Sequence, residues 1–142
     1  MDKKQKVIFI CTGNSCRSQM AEGFLKNIAS NVFEVYSAGS NPSEVNPNAI
    51  ATMQELNIDI SEHTSDSIDC YINMGINIVI TVCDHANQIC PNFPGKVEKI
   101  HWSIEDPFQG WEINNANLKN FRRTRDKIKY HIDEFINNLE RK

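Results

Sequence analysis

The sequence lacks any long apolar run. Its uninterrupted apolar stretches extend over only a few residues, whereas a helix that spans a membrane needs about 20. The start of the chain, Met1 to Lys6, is mostly polar and leads directly into a strand-like stretch, without the apolar region of a secretion signal. We therefore expect a cytoplasmic protein with no membrane partner.

An excess of positive charge is also missing. The chain has 15 lysines and arginines against 18 aspartates and glutamates, a net charge of −3. A protein that binds nucleic acid normally presents a basic face, so we expect no nucleic-acid partner and instead a small anion or a protein. No repeat, low-complexity tract or linker interrupts the 142 residues, whose length suits one domain, residues 1–142. We expect a monomer.

Cysteines are too few, and odd in number, for a disulfide-stapled secreted fold. The sequence has five: Cys11, Cys16, Cys70, Cys83 and Cys90. Cysteines of cytosolic proteins are usually reduced. These residues are therefore considered first as reactive thiols.

The segment Cys11–Ser18, Cys-Thr-Gly-Asn-Ser-Cys-Arg-Ser, follows the apolar run Val7–Ile10 and precedes a helical pattern. A strand, a short turn and a helix start in this order direct backbone N–H groups into one concave loop that suits an anion. Arg17 adds a planar, permanently charged group. The predicted oxyanion-binding residues are Thr12, Gly13, Asn14, Ser15, Cys16 and Arg17.

Cys11 lies at the mouth of this positive field, which favours the thiolate over the thiol and predicts a nucleophile aimed at the anion. Ser18 is expected to donate its hydroxyl to Cys11, with capping of the helix as its alternative role. Taken singly, Cys11 could be a small buried residue and Arg17 a solvated helix start. Their joint spacing favours the catalytic interpretation.

Apolar runs alternate along the chain with segments of helical periodicity. The predicted strands are Val7–Ile10, Phe33–Ala38, Ile76–Val82 and Val97–Trp102. The predicted helices run from Ser18 to about Asn31, from Pro47, from Ser65 or Asp66 to Asn73, and from Asn117, with Ile28 and Leu56 among the buried positions. This alternation predicts parallel βαβ units, whose ligands bind beyond the carboxyl ends of the strands. Cys11, Cys83 and Asp106 are expected at that edge.

Cys83 follows the third predicted strand, and Cys90 comes seven residues later. If the sheet brings Cys83 near Cys11, with Cα atoms within about 7 Å, Cys83 can attack the sulfur of a Cys11 adduct and form a disulfide. Cys90 can then take over that bond, provided that the two-turn segment between the cysteines unwinds. The alternatives are inert thiols, or a zinc site with His63 or His85, whose spacing suits zinc poorly.

Asp106 precedes Pro107 at the start of a long loop. A displacement at the bound anion needs a proton donor opposite the nucleophile, and Asp106 is the candidate general acid. An Asp-Pro pair in isolation would more simply form a turn. Thr12 is expected to hydrogen-bond the sulfur of Cys11 or of Cys83.

Three motifs together resemble the low-molecular-weight protein tyrosine phosphatase superfamily. They are Cys11–Gly23, Tyr36–Gly39 and Glu105–Pro107. The added segment from Thr81-Val-Cys83 to Cys90-Pro91 is similar to that of the thioredoxin-coupled arsenate reductases. The resemblance implies a flavodoxin-like α/β fold, a three-layer sandwich with a four-stranded parallel sheet and helices on both faces.

The resemblance also implies a relay of three cysteines that reduces arsenate to arsenite. In it Cys11 attacks arsenate with help from Asp106, and Cys83 and Cys90 collect the oxidising equivalents. Reduced thioredoxin regenerates the enzyme, which needs no tightly bound cofactor; glutaredoxin with glutathione is the alternative reductant. Proteins of this kind can hold a potassium ion near the loop. The matching oxygen donors are Asn14, Glu22, Ser37 and Asp66.

One departure separates the chain from the phosphatase branch, whose members carry tyrosines after the Asp-Pro pair to grip a phenyl ester. Here Phe108 and Gln109 follow that pair. The sequence thus favours an arsenate reductase. Two alternatives stay open. One is a phosphatase that hydrolyses phosphate monoesters through a Cys11 phosphoenzyme, in which Cys83 and Cys90 are dispensable; the other is a non-enzymatic module that responds to anions or to redox state.

Overall fold

A computed structural model describes residues 4–140, so the ends of the predicted domain, residues 1–3 and 141–142, lie outside the described residues. The elements alternate as the sequence predicts. They are β1 (Gln5–Cys11), α1 (Arg17–Ala29), β2 (Phe33–Gly39), α2 (Pro47–Gln54), a short 3-10 helix (Ile68–Cys70), β3 (Ile78–Thr81), α3 (Asp84–Ile89), β4 (Glu98–His101) and α4 (Asn115–Glu140). Between residues 4 and 140, no helix is both long enough and apolar enough to cross a membrane.

The described strands form one parallel sheet in the order β2-β1-β3-β4. The step from β1 to β2 and the step from β3 to β4 run in opposite directions across the sheet, so right-handed crossovers put α1 and α3 on opposite faces. The long helix α4 packs against α1 and α2. The predicted flavodoxin-like, three-layer α/β fold with a four-stranded parallel sheet is confirmed.

The core lies around β1, whose residues Val7 to Ile10 are fully buried, as expected for a central parallel strand covered on both faces. Two predicted core positions are wrong. Ile28 is 44% exposed because it lies near the end of α1, on the side that faces solvent, and Leu56 is 39% exposed because α2 ends before it. The left-handed turn at Asn57 then returns the chain to the core at Ile58.

The predicted helix from Ser65 or Asp66 to Asn73 is also wrong, since only the three residues of the 3-10 helix form, capped by Ser67. The reason is a competing set of hydrogen bonds. Ser65 donates its hydroxyl to the Asn14 carbonyl at 2.6 Å, and the Asp66 N–H donates to the Asn14 side chain at 2.8 Å. The segment is therefore held extended against the loop that follows β1.

Candidate active site

Hydrogen bonds to its outward-facing carbonyl groups hold the loop between β1 and α1 in place. The carbonyls of Thr12, Gly13 and Ser15 accept hydrogen bonds of 2.9–3.0 Å from the backbone N–H groups of residues 41, 43 and 46. In a trans peptide the N–H points away from the preceding carbonyl. Because these carbonyls turn outward, the N–H groups that follow them turn toward the inside of the loop, as an anion cradle requires.

Gly39, at the end of β2, lies against this loop. A Cβ atom at this position would come within 2.5 Å of the Thr12 carbonyl oxygen and 2.8 Å of the Asn14 nitrogen. Both are backbone atoms and neither can rotate away. The loop can therefore adopt its shape only because residue 39 has no side chain.

The Asn14 side chain supports the loop and does not line the cavity, so the contribution of this residue to anion binding would come from its backbone N–H. Its backbone is left-handed (φ 48°) and it is fully buried. Its side-chain amide donates to the hydroxyls of Ser18 (2.8 Å) and Ser37 (2.9 Å). Asparagine tolerates this conformation better than most residues because its short side chain can bond locally.

Cys11 ends β1, is 3% exposed, and lies with its Sγ 2.9 Å from the Ser18 Oγ. Ser18 already accepts a hydrogen bond from Asn14, so its single hydroxyl hydrogen is free for the sulfur. The predicted Cys11–Ser18 contact is present. Ser18 does not cap α1, because the capping position is Cys16, which makes no side-chain capping bond.

A cavity of about 380 Å³ opens above Cys11. Its lining includes Cys11, Thr12, Gly13, Ser15, Cys16, Arg17, Asp106, Phe108 and Trp111. Arg17 donates to the Ile104 carbonyl at 2.8 Å and has a guanidinium nitrogen 3.7 Å from Asp106. Its buried Nε has no acceptor among the described residues, so it remains available to an oxyanion. Trp111, whose ring meets Phe108 edge to face, also lines the cavity, and nothing in the local sequence pattern predicts this role.

Cys16 shares this cavity, but it is a poor nucleophile. Burial raises the pKa of its thiol to about 12. At pH 8 only about one molecule in 10⁴ would carry a thiolate there, and the thiolate is the reactive form.

We expect iodoacetamide at pH 8 to label exposed Cys70 rapidly and Cys16 slowly, because Cys16 is both protonated and 5% exposed. Peptide mass spectrometry of timed samples measures both rates. Equal labelling of the two residues in the folded protein would contradict the protonation state assigned to Cys16.

Cys83 lies next to the oxyanion loop. Its strand, β3, neighbours β1, and the Val82 N–H donates to the Ile10 carbonyl at 2.9 Å, so the chain reaches Cys83 just past the end of β1. Adjacent strands are about 4.8 Å apart. The Cys83 sulfur is 3.6 Å from the Thr12 hydroxyl, and the two residues line a second cavity together with Arg17. Cys83 thus follows the end of the strand next to β1 and contacts Thr12, the residue after Cys11.

Cys90 lies at the opposite end of α3 from Cys83. The Cys83 sulfur caps the first turn by accepting from the Ala86 N–H at 3.4 Å, and half-buried Cys90 ends the helix. Seven residues of helix rise about 10 Å, more than the roughly 7 Å that Cα atoms of a disulfide allow. All five cysteines are free thiols in this state, and burial raises the pKa of Cys90.

The zinc alternative has no support. Among residues 4–140, no three histidine, cysteine, aspartate or glutamate side chains are grouped as metal ligands. The His63 Nδ1 instead lies 2.9 Å from the side-chain oxygen of Gln19, and it is 3.6 Å from a carboxylate oxygen of Glu22. His85 is exposed on α3.

The four oxygen donors predicted for potassium lie together behind the loop. Ser37 accepts from Asn14 and donates to Glu22 at 2.6 Å, and the Asp66 N–H donates to the Asn14 side-chain oxygen. Glu22 also pairs with Lys26, which already supplies a positive charge there. Oxygen donors of this kind suit a hard cation. Of the four, Glu22 and Asp66 border a cavity of about 250 Å³, whereas Asn14 and Ser37 do not line it.

Comparison with known proteins supports the resemblance. The chain matches the low molecular weight phosphotyrosine protein phosphatase family over residues 6–142. An arsenate reductase of Staphylococcus aureus (strain Newman) is 48% identical over 133 residues, 93% of this chain and 96% of the relative. A solved structure of an arsenate reductase in its oxidized state has a TM-score of 0.81 and 36% identity, and covers 95% of this chain and 98% of its own.

A thioredoxin-dependent arsenate reductase of Corynebacterium glutamicum has a TM-score of 0.77 and 26% identity, over 98% of this chain and 63% of that one. The family match covers nearly the whole chain. The chain therefore belongs to the low-molecular-weight phosphotyrosine protein phosphatase family.

Proposed function

We propose that this protein is a single-domain, monomeric arsenate reductase of the cytoplasm, which reduces arsenate to arsenite and takes its electrons from thioredoxin. The observation that carries the proposal is the position of Cys83, whose sulfur is 3.6 Å from Thr12 beside the nucleophile, with Cys90 at the far end of a six-residue helix. A hydrolytic phosphatase needs neither cysteine. The names of the relatives agree with this assignment.

In the first step arsenate binds with its oxygens on the inward N–H groups of the loop and on Arg17. The Cys11 thiolate, stabilised by the hydroxyl of Ser18, attacks arsenic and forms a sulfur–arsenic bond. The oxygen opposite the sulfur leaves as water, and Asp106, 3.7 Å from Arg17 at the rim of the cavity, supplies a proton.

In the second step the Cys83 thiolate attacks the Cys11 sulfur. A Cys11–Cys83 disulfide forms, the sulfur–arsenic bond breaks, and its electron pair stays on arsenic, which is reduced from As(V) to As(III) and leaves as arsenite. Thr12 steadies the Cys83 sulfur for this attack. Among the described cysteines, Cys83 is the thiol that the sheet holds next to Cys11 outside the loop.

In the third step α3 unwinds and Cys90 attacks the Cys83 sulfur, which forms a Cys83–Cys90 disulfide and releases Cys11 as a thiolate. The new disulfide lies in a surface segment where thioredoxin can reduce it. Because burial raises the pKa of Cys90 in the reduced fold, opening of α3 also activates this thiol.

A potassium ion, if bound, would be held by oxygens of Asn14, Glu22, Ser37 and Asp66. Such an ion would add positive charge behind the loop and favour the anionic state of the site. Asn14 and Ser37 already connect this cluster to Ser18, so the cluster helps to orient the hydroxyl that contacts Cys11.

The test is a comparison of Cys83→Ser and Cys90→Ser. Coupled to thioredoxin, thioredoxin reductase and NADPH, both variants are expected to lose steady-state arsenate reduction by at least about 10³-fold. Cys90→Ser should still release one arsenite per molecule, because the first disulfide can form, whereas Cys83→Ser should release none. Cys70→Ser is the matched control and should retain full turnover, because Cys70 is exposed and lines neither the cavity above Cys11 nor the one beside Cys83.

A phosphatase is the second candidate, and the aromatic wall of the cavity favours it. Phe108 and Trp111, with ring centroids 5.2 Å apart, border a space larger than a tetrahedral oxyanion fills. If Cys83→Ser and Cys90→Ser retained wild-type turnover with aryl phosphates and the wild type released no arsenite, the reductase assignment would be wrong. Wild-type arsenate reduction by both variants would likewise contradict the relay.

A further inference from the structure

The histidine at the end of β4 bonds to the chain on both sides of Cys83. His101 is the register partner of Thr81 in the parallel β3–β4 pair, so the two side chains lie on the same face. Its Nδ1 is 2.8 Å from the Thr81 hydroxyl, and its Nε2 is 2.9 Å from a carboxylate oxygen of Asp84. Residue 81 ends β3 and residue 84 begins α3. The imidazole ring therefore bridges the two ends of the short turn that carries the resolving thiol.

Both ends of the bridge have chemically matched hydrogen-bonding groups. A carboxylate can only accept a hydrogen bond, so Nε2–H donates to Asp84, while Nδ1 shares a hydrogen bond with the Thr81 hydroxyl, which can donate or accept. Hydrogen bonds from Ser103 and from His101 lower the pKa of Asp84, so this carboxylate is ionised at neutral pH. Each ring nitrogen thus has one suitable partner.

The strand that carries His101 is itself fixed. The Trp102 N–H donates to the Thr81 carbonyl at 2.9 Å, which continues the β3–β4 ladder past the last paired residue. Trp102 is buried and packs against Phe9 of β1 with ring centroids 5.8 Å apart. The backbone next to His101 is therefore anchored to the core, although its side chain is partly exposed, whereas α3, with six residues and one buried side chain, has little packing of its own.

We infer that His101 is a positioning residue for the relay, which holds Cys83 in line with the Cys11 sulfur by bonding to Thr81 and Asp84 on either side of it. The inference rests on the proposed function and deepens it. His101 contacts neither the oxyanion nor a reacting sulfur, so it acts through the residues that it orients. The attack of Cys83 on Cys11, in which the new S–S bond replaces the sulfur–arsenic bond, is the step that depends on it.

The bridge also accounts for the order of the relay. While His101 holds Asp84, the first turn of α3 stays formed and Cys90 is kept from Cys83. Thr81 reinforces this arrangement through its side chain, 3.4 Å from that of Asn87 one turn along α3. The third step therefore requires the His101–Asp84 bond to open, so that the same contact favours the first disulfide and delays the second.

The test uses a Cys90→Ser background, in which the relay stops after one arsenite. Rapid mixing with saturating arsenate measures the rate of that release. His101→Leu is expected to slow it by about 10- to 100-fold, because a misplaced nucleophile loses its attack geometry, while the arsenate concentration at half-saturation stays unchanged. His101→Gln should recover most of the rate, since its amide can donate to Asp84 and accept from Thr81. His85→Leu, an exposed histidine on α3 itself, is the matched control and should not change the rate.

Asp84→Ala provides a second test that leaves β4 intact. It should slow the release as His101→Leu does, and the double variant should be no slower than either one, as expected for two residues that act through one contact. The inference would be overturned if His101→Leu released arsenite at the parental rate. It would also be overturned if the arsenate concentration at half-saturation rose by the same factor as the rate fell.

A measurement without arsenate separates this inference from the proposed function. Hydrogen exchange of the amides of residues 83–87 should be faster in His101→Leu and Asp84→Ala than in the parent and in His85→Leu. Unchanged exchange would contradict the bridge whatever the enzyme reduces. Faster exchange in the two variants, combined with a parent that releases no arsenite, would support the bridge and contradict the proposed function.

Discussion

Replacing Cys11 with serine is expected to abolish arsenate reduction, with a loss of at least about 10⁴-fold in turnover. The cysteine has two tasks that a hydroxyl cannot share. It must attack arsenic as an anion, and its sulfur must then accept the attack of Cys83 to form a disulfide. A serine oxygen cannot form a disulfide with Cys83, so arsenic cannot be reduced from As(V) to As(III).

The loss should occur without damage to the site. The serine is isosteric, and the loop is held by its carbonyl contacts and by Asn14 rather than by the sulfur. Calorimetric titration of Cys11→Ser with inorganic phosphate should therefore show binding comparable to that of the wild type, and circular dichroism an unchanged fold. Thioredoxin-linked turnover of arsenate by this variant would show that another thiol is the nucleophile.

Gly39→Ala is expected to have the largest effect of any single methyl group added to the described site. The new Cβ would meet two backbone atoms of the oxyanion loop, at 2.5 and 2.8 Å, and neither can move without shifting the loop. We expect a fall of about 1–3 kcal/mol in the free energy of unfolding. We also expect a loss of phosphate affinity and of kcat/KM, because the inward N–H groups would no longer converge.

Gly23→Ala is the matched control for this change. Its Cβ would come within 2.8 Å of the Ile60 Cγ2 and 3.1 Å of the Met53 Cε, but these are side-chain atoms of the core beneath α1 and not backbone atoms of the oxyanion loop. Urea unfolding should show destabilisation in both variants, whereas phosphate titration should show lost affinity only for Gly39→Ala. Equal phosphate affinity in both would mean that the contact with Gly39 does not shape the loop.

Much of this arrangement could be predicted from the sequence, because its determinants are local. The apolar run before Cys11 is a buried central strand, and the spacing of Cys11 and Arg17 at a strand-turn-helix boundary gives the loop its position. The Cys11–Ser18 contact follows from the same few residues. The position of Cys83 followed from a general property of parallel sheets, whose strand ends meet at one edge.

What the sequence could not predict depends on partners far along the chain. The helix predicted after Ser65 fails because Asn14, about 50 residues earlier, takes the hydrogen bonds of that segment. His101 carries no local sign of its role, since its partners are brought to it by the register of β3 and β4. Trp111 reaches the cavity through a loop without regular structure, which no periodicity marks.

The other two cysteines of the proposed relay are held by different kinds of structure. Cys83 is placed by a hydrogen-bonded strand pair, which is stiff, and Cys90 by a helix of six residues, which is short enough to fray. In the proposed relay, the first disulfide would thus join cysteines that follow neighbouring strand ends, whereas the second requires a segment of α3 to move through solvent. Higher solvent viscosity is therefore expected to slow the second exchange more than the first.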